Sequence, residues 1–229
     1  MDLLDHAPKV FLLSPASATG KRALQLAAPR ANFAAAGRLR SPEGLPIGEA
    51  FCFMSALYFR GKLAYARRFA SSWAEPPVLP EQPGCGGERS GEKSRADLQL
   101  VPDAGSILII APGFGLVSPE WPLTAERLGR LARTPVDPAR RVYSAPLRRH
   151  ARELASRLPA GARIVLLGSI ATGKYLDLLL PILRERLLFP RAFAGTGDMR
   201  RGAMMLRAAA SGEELEYAAV RAARVSALS

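Results

Sequence analysis

The sequence predicts an α/β fold, a mostly parallel sheet of four to six strands with helices on both faces, in one domain of 229 residues. Three observations predict it. Val10-Phe11-Leu12-Leu13, Ile107 to Ala111 and Ile164 to Leu167 are short, continuous apolar runs, the pattern of strands buried on both faces. Each run stops at small or polar loop residues: Ser14-Pro15, then Gly20-Lys21-Arg22; Pro112-Gly113-Phe114-Gly115; and Gly168-Ser169-Ile170-Ala171-Thr172-Gly173. The stretches between them are long enough, and periodic enough, to be crossover helices.

The elements follow in order. After the first strand, Lys21 to Ala27 and Ala31 to Leu39 read as short helices separated by Pro29. Met54 to Trp73 has the best helical pattern, with Leu57, Leu63, Ala64 and Phe69 interleaved with Arg60, Lys62, Arg67 and Arg68. Segment 74–104, rich in Pro and Gly and poor in aliphatics, reads as a flexible insertion. The strand Ile107 to Ala111 leads to a helix over Thr124 to Ala132, with Thr124 as its cap. Pro146 to Leu158 reads as a basic helix, and Ile164 to Leu167 as the third strand. Lys174 to Arg186 is an apolar helix interrupted by Pro181, and Leu187 to Pro190 a fourth short strand. Gly202 to Ala209 and Glu213 to Arg224 close the chain as helices.

Composition narrows the function. There is no apolar run of the roughly 18 residues that span a membrane, and the acidic start Met1-Asp2-Leu3-Leu4-Asp5 is no signal peptide. Two cysteines, Cys52 and Cys85, make no disulfide framework, which points to a reducing cytoplasm. The net charge of +12 suits a polyanionic partner, or else reflects only an Arg-rich composition. Only five of the 32 cations are Lys, and Lys21, Lys62 and Lys174 sit inside motif-like stretches. A compact ammonium serves a site that needs one point charge, where a guanidinium is a planar fork.

In open α/β sheets ligands bind outside the carboxyl ends of the strands. The loops after Leu13, Ala111 and Leu167 are therefore expected to converge. Ser14, Lys21, Arg22, Gly113, Gly115, Ser169 and Lys174 are candidates to line one concavity, with Tyr58 and Lys62 reaching it from the long helix. The Gly113-Phe114-Gly115 turn either offers N–H groups to a phosphate or is a plain turn. Thr172 either caps its helix, leaving Lys174 solvated, or shares with Lys174 an anion site. Asp198, in Gly197-Asp198-Met199-Arg200-Arg201-Gly202, either caps a helix beginning near Met199 or brings a carboxylate and a guanidinium to a ligand. Arg141, Arg148, Arg149 and Arg152, with Tyr143 among them, could track a phosphate backbone or be a solvated helix face.

No cofactor signature is present. The Gly113-Phe114-Gly115 turn lacks the full GxGxxG or GxxxxGK[ST] spacing, and a GxSxG elbow and helix-turn-helix, zinc-finger and RNP patterns are absent. His6 and His150 have no ligand-spaced neighbours for a metal, and Cys52 between Phe51 and Phe53 reads as an inert core thiol.

Four pieces in one order resemble the YaaA-like family, named for a bacterial peroxide-stress protein, and its shorter relatives. They are Leu12-Leu13-Ser14-Pro15-Ala16, Ala56-Leu57-Tyr58-Phe59-Arg60-Gly61, Ile109-Ile110-Ala111-Pro112-Gly113-Phe114-Gly115-Leu116, and Leu167-Gly168-Ser169-Ile170-Ala171-Thr172-Gly173-Lys174-Tyr175. The family often has Lys directly after Ser-Pro-Ala, where this chain has Ser17, and its Pro-Tyr stretch is here Pro122-Leu123. The resemblance implies an α/β fold, a cytoplasmic stress-response setting and DNA binding, adds Tyr175 to the candidates, and implies no reaction. The expected partner is a nucleic acid or a phosphate-bearing small molecule, the latter bound or turned over.

Overall fold

The computed structural model describes residues 7–71 and 106–220. Residues 74–104, expected to form an insertion, lie outside the described residues, as does His6.

The first strand, β1 (Lys9–Leu13), is entirely buried. It pairs in parallel with β3 (Ile107–Ala111) on one side and with β6 (Arg163–Leu167) on the other. Parallel β7 (Leu187–Pro190) follows β6, and two antiparallel strands, β4 (Gly115–Val117) and β8 (Tyr217–Ala219), form the edges. The order is β4-β3-β1-β6-β7-β8. The chain leaves β1 for β3 on one side and later crosses to β6 on the other, so the carboxyl end of β1 is the switch point of the sheet. A two-residue pairing of β2 (Leu45–Pro46) with β5 (Pro122–Leu123) lies apart from it.

Successive strand residues point to opposite faces, and both faces are covered. Phe11, Leu13, Ile109, Val165 and Leu167 pack with α1 (Lys21–Ala27), α2 (Ala34–Arg40), α3 (Ile47–Phe69), α4 (Ala125–Arg133) and α7 (Asp198–Ser211). Val10, Leu12, Leu108, Ile110, Ile164 and Leu166 pack with α5 (Arg141–Arg157) and α6 (Gly173–Leu183). No described helix is long and apolar enough to cross a membrane.

Several boundaries differ from the sequence reading for physical reasons. α3 starts at Ile47 rather than Met54, because Ile47, Ala50 and Phe51 are core residues. It is two helices joined at Ala56, whose φ of 44° and ψ of −117° break the helical path. α5 begins at Arg141, so Pro146 sits inside the helix instead of opening it. Pro181 likewise falls within α6, which ends at Leu183; a 3-10 turn over Arg184–Arg186 leads to β7. The helix expected over Glu213 to Arg224 is absent across 213–219; Gly212, at φ 78°, ends α7 and the chain returns as β8. Thr124 does cap α4, its side chain accepting from the Arg127 N–H at 3.3 Å.

Candidate functional site

Pro15 has no N–H, so the sheet ladder cannot continue past Ser14. Ser14 N–H still donates to Leu167 O at 3.2 Å, and its Oγ lies 3.3 Å from the same carbonyl. The exit of β6 passes close by: a Cβ on Gly168 would lie 2.9 Å from Ser14 Cβ, so only glycine fits there.

The long helix supplies the next part. Beyond the kink at Ala56, α3 packs backbone to backbone on α7. A Cβ on Gly61 would come within 2.6 Å of Gly202 O, and one on Gly202 within 3.0 Å of Leu57 O. That close crossing sets Tyr58 and Lys62 against the first turn of α7, which carries Asp198 and Arg201.

Lys62 is 1% exposed. Its Nζ lies 2.7 Å from Ser14 Oγ, 3.0 Å from Ser14 O and 3.9 Å from the Tyr58 ring centroid. Burial draws its pKa down to about 7; the Asp198 carboxylate opposes this and the Arg201 guanidinium adds to it. The Tyr58 hydroxyl is buried beside Ser14 and Arg201 without a hydrogen bond of ordinary geometry, and burial raises its pKa. Arg201 donates through Nε and NH2 to Phe193 O, at 3.2 and 2.9 Å, and its NH1 lies 3.6 Å from the Asp198 carboxylate. Tyr175 of α6 stands near Tyr58 and Asp198, its phenol pushed up to about 12 mainly by burial.

The hydroxyl of Ser14 has two arrangements. With Lys62 protonated, the ammonium donates to Ser14 Oγ and O, and the hydroxyl donates to Leu167 O. With Lys62 neutral, its lone pair accepts the Ser14 proton.

The structure thus brings together Ser14, Lys62, Tyr58 and Tyr175, with Asp198 at the mouth. Asp198 is not a cap: Gly197 holds that position, Asp198 is the first helical residue, and its side chain caps nothing. Thr172 is the N-cap of α6 but makes no side-chain cap bond, and Lys174 is exposed in the first turn. Ser169 Oγ accepts from the Ala171 N–H at 3.3 Å. Lys21 and Arg22 are exposed at the start of α1, Arg22 donating to Phe53 O. Gly113 and Gly115, at φ 83° and 92°, form the tight β3–β4 hairpin and face Thr134 and His150, so no open cradle surrounds them. Arg141, Arg148, Arg149 and Arg152 are exposed on α5, which lies across the sheet from α3.

On the other side of the β1 exit, Pro15 to Thr19, Phe51, Pro112, Leu131, Ala132 and Thr134 to Val136 line a cavity of about 240 Å³. This cavity opens beside Pro15, while the neighbouring Ser14–Lys62 pair on the β6 side is buried. Arg201 is the member that sequence reasoning could not single out from Arg200. The signal lies in phase: three residues after Asp198, Arg201 turns inward while Arg200 stays exposed. Comparison of the chain with protein-family models, with curated proteins and with solved structures finds no match.

Proposed function

We propose that the protein binds a nucleotide or another phosphate-bearing small molecule at the carboxyl edge of the sheet, in the crevice between the ends of β1 and β6. One observation carries this reading: a fully buried lysine, pulled toward neutrality, meets a serine at the topological switch point. Strongly perturbed titratable groups cluster at functional sites. The cations at the rim support an anionic ligand, since Lys21 and Lys174 begin the helices that follow β1 and β6. The YaaA-like order of motifs points the same way, because its strand-end pieces supply Ser14, Ser169 and Tyr175.

Titration calorimetry with a panel of nucleoside mono- and diphosphates tests the reading. Binding is expected, and Lys174→Ala should weaken it by about 1–3 kcal/mol, the range for a charge-assisted hydrogen bond. A panel without any binder removes the proposal. A second reading, nucleic-acid binding, rests on α5. Among the described residues, Arg141, Arg148, Arg149 and Arg152 are in no ion pair and share the solvent side of one helix.

A further inference from the structure

We propose that Ser14 is a nucleophile, Lys62 its general base and the Tyr58 hydroxyl the donor to the oxyanion, in a site that takes an acyl group from a small carboxylic ester. The proposal rests on the crevice being the ligand site and not on the ligand carrying a phosphate. Buried lysines ordinarily pair with a carboxylate. Lys62 instead has Ser14 O and Ser14 Oγ within hydrogen-bond distance, while Asp198, the carboxylate that acts on it electrostatically, lies 3.6 Å from Arg201. The 2.7 Å contact is the separation a general base needs from the proton it takes.

A structural tyrosine at the depth of Tyr58 finds a partner for its hydroxyl. Here the hydroxyl lies beside Ser14 and Arg201 and makes no hydrogen bond of ordinary geometry, which leaves a donor where an oxyanion would develop. One such donor, with Asp198 nearby, suits the single negative charge of a tetrahedral acyl intermediate better than a phosphoryl dianion. The charged and titratable groups facing Lys62 are Tyr58 on its own helix and Asp198 and Arg201 on α7, with Tyr175 of α6 beyond Tyr58.

Ser14 Oγ bonds to the ester carbonyl carbon and its proton passes to Lys62 Nζ, while the oxyanion accepts from Tyr58. Collapse breaks the bond to the leaving alcohol, which takes the proton from Lys62. Water then repeats the sequence on acyl-Ser14 and releases the acid.

A fluorophosphonate probe tests this on the full chain. The Oγ–P bond forms, the P–F bond breaks, fluoride leaves and the proton goes to Lys62. Peptide mass spectrometry should find one adduct, on Ser14, and none in Ser14→Ala. The labelling rate should rise about tenfold per pH unit below 7 and level off above it. Lys62→Met should label at least 100-fold more slowly at pH 8 while keeping its circular dichroism spectrum. If that variant unfolds, the wild-type result decides alone: an unlabelled Ser14, or a rate flat through pH 7, overturns the proposal. Nucleotide binding measured on the same samples separates the two readings. Binding without labelling sinks the nucleophile and spares the ligand site; labelling without nucleotide binding spares the nucleophile and the crevice and removes the phosphate-bearing ligand.

Discussion

Helices α3 and α5, with 23 and 17 residues, cover opposite faces of one sheet; both leave their arginines exposed, but α3 alone buries a lysine. α3 takes Lys62 into the core, where its amine meets the end of the central strand. α5 turns Arg141, Arg148, Arg149 and Arg152 to solvent and buries only one basic side chain, His150. The residue types fit these positions. A lysine can shed its proton when desolvated, whereas an arginine cannot, so an arginine at position 62 would bury a permanent charge. His150 solves the same problem within α5: burial lowers its pKa to about 4, and Nδ1 accepts from the Leu116 N–H at 3.0 Å. The comparison teaches that in an Arg-rich chain the position of a cation says more than the total.

The largest effect should come from separating α3 from α7. Gly61→Val would force a side chain into Gly202 O and should cost about 3 kcal/mol or more in urea unfolding. An effect below about 1 kcal/mol would mean that the crossing is loose and that Lys62 is not held by it.

Next comes pH. The folded state holds the Lys62 proton less tightly than the unfolded chain, from the ordinary 10.5 down to about 7. Between those values the unfolded chain binds more protons, so stability should rise with pH. The slope is up to about 1.4 kcal/mol per unit. Below about 7 both states are protonated and this contribution is flat. Lys62→Met should remove the rise, and an unchanged curve would place Lys62 in a wetter setting. On the α5 side the same logic gives a second window. His150 falls from 6.5 to about 4, so stability should climb from pH 4 to 6.5, and His150→Gln should flatten that climb.

A smaller effect is expected at the kink. Ala56 sits at a positive φ, which a glycine adopts without the Cβ penalty. Ala56→Gly should raise stability by about 1 kcal/mol in the same unfolding assay. Destabilisation would show that the neighbouring packing, rather than the backbone, prefers alanine. Smallest in stability should be Arg148, Arg149 and Arg152 changed together to Ser, about 0.5 kcal/mol or less per site. If α5 contacts DNA, the same triple variant should lower the salt slope of binding by about one per lost phosphate contact. An unaltered slope would return these arginines to the solvated surface.

The sheet was legible because buried parallel strands are unbroken apolar runs, as at Val10 to Leu13 and Ile164 to Leu167. β8 was not, since Tyr217-Ala218-Ala219 carries no such run and is defined by its pairing with β7. Strand-end logic led to Ser14 and Lys62, because loop composition and the scarcity of lysine both survive in one dimension. It did not separate buried Lys62 from exposed Lys21 and Lys174. That difference depends on the Gly61–Gly202 crossing, which brings together residues far apart in the chain. The glycine turn at Gly113 and Gly115 illustrates the converse. Its composition reads alike for a phosphate cradle and a hairpin, and only the neighbours Thr134 and His150 distinguish them.

The strands that bound the sheet, β4 and β8, are three residues each and run against the direction of the four parallel strands between them. A short, reversed border leaves few free backbone groups in register for a foreign strand to zip onto. A chain with so apolar a set of inner strands thus limits the surface through which copies of itself could polymerise. Lengthening β8, for instance by replacing Gly212 and the turn after it with β-branched residues, would be expected to promote fibre formation.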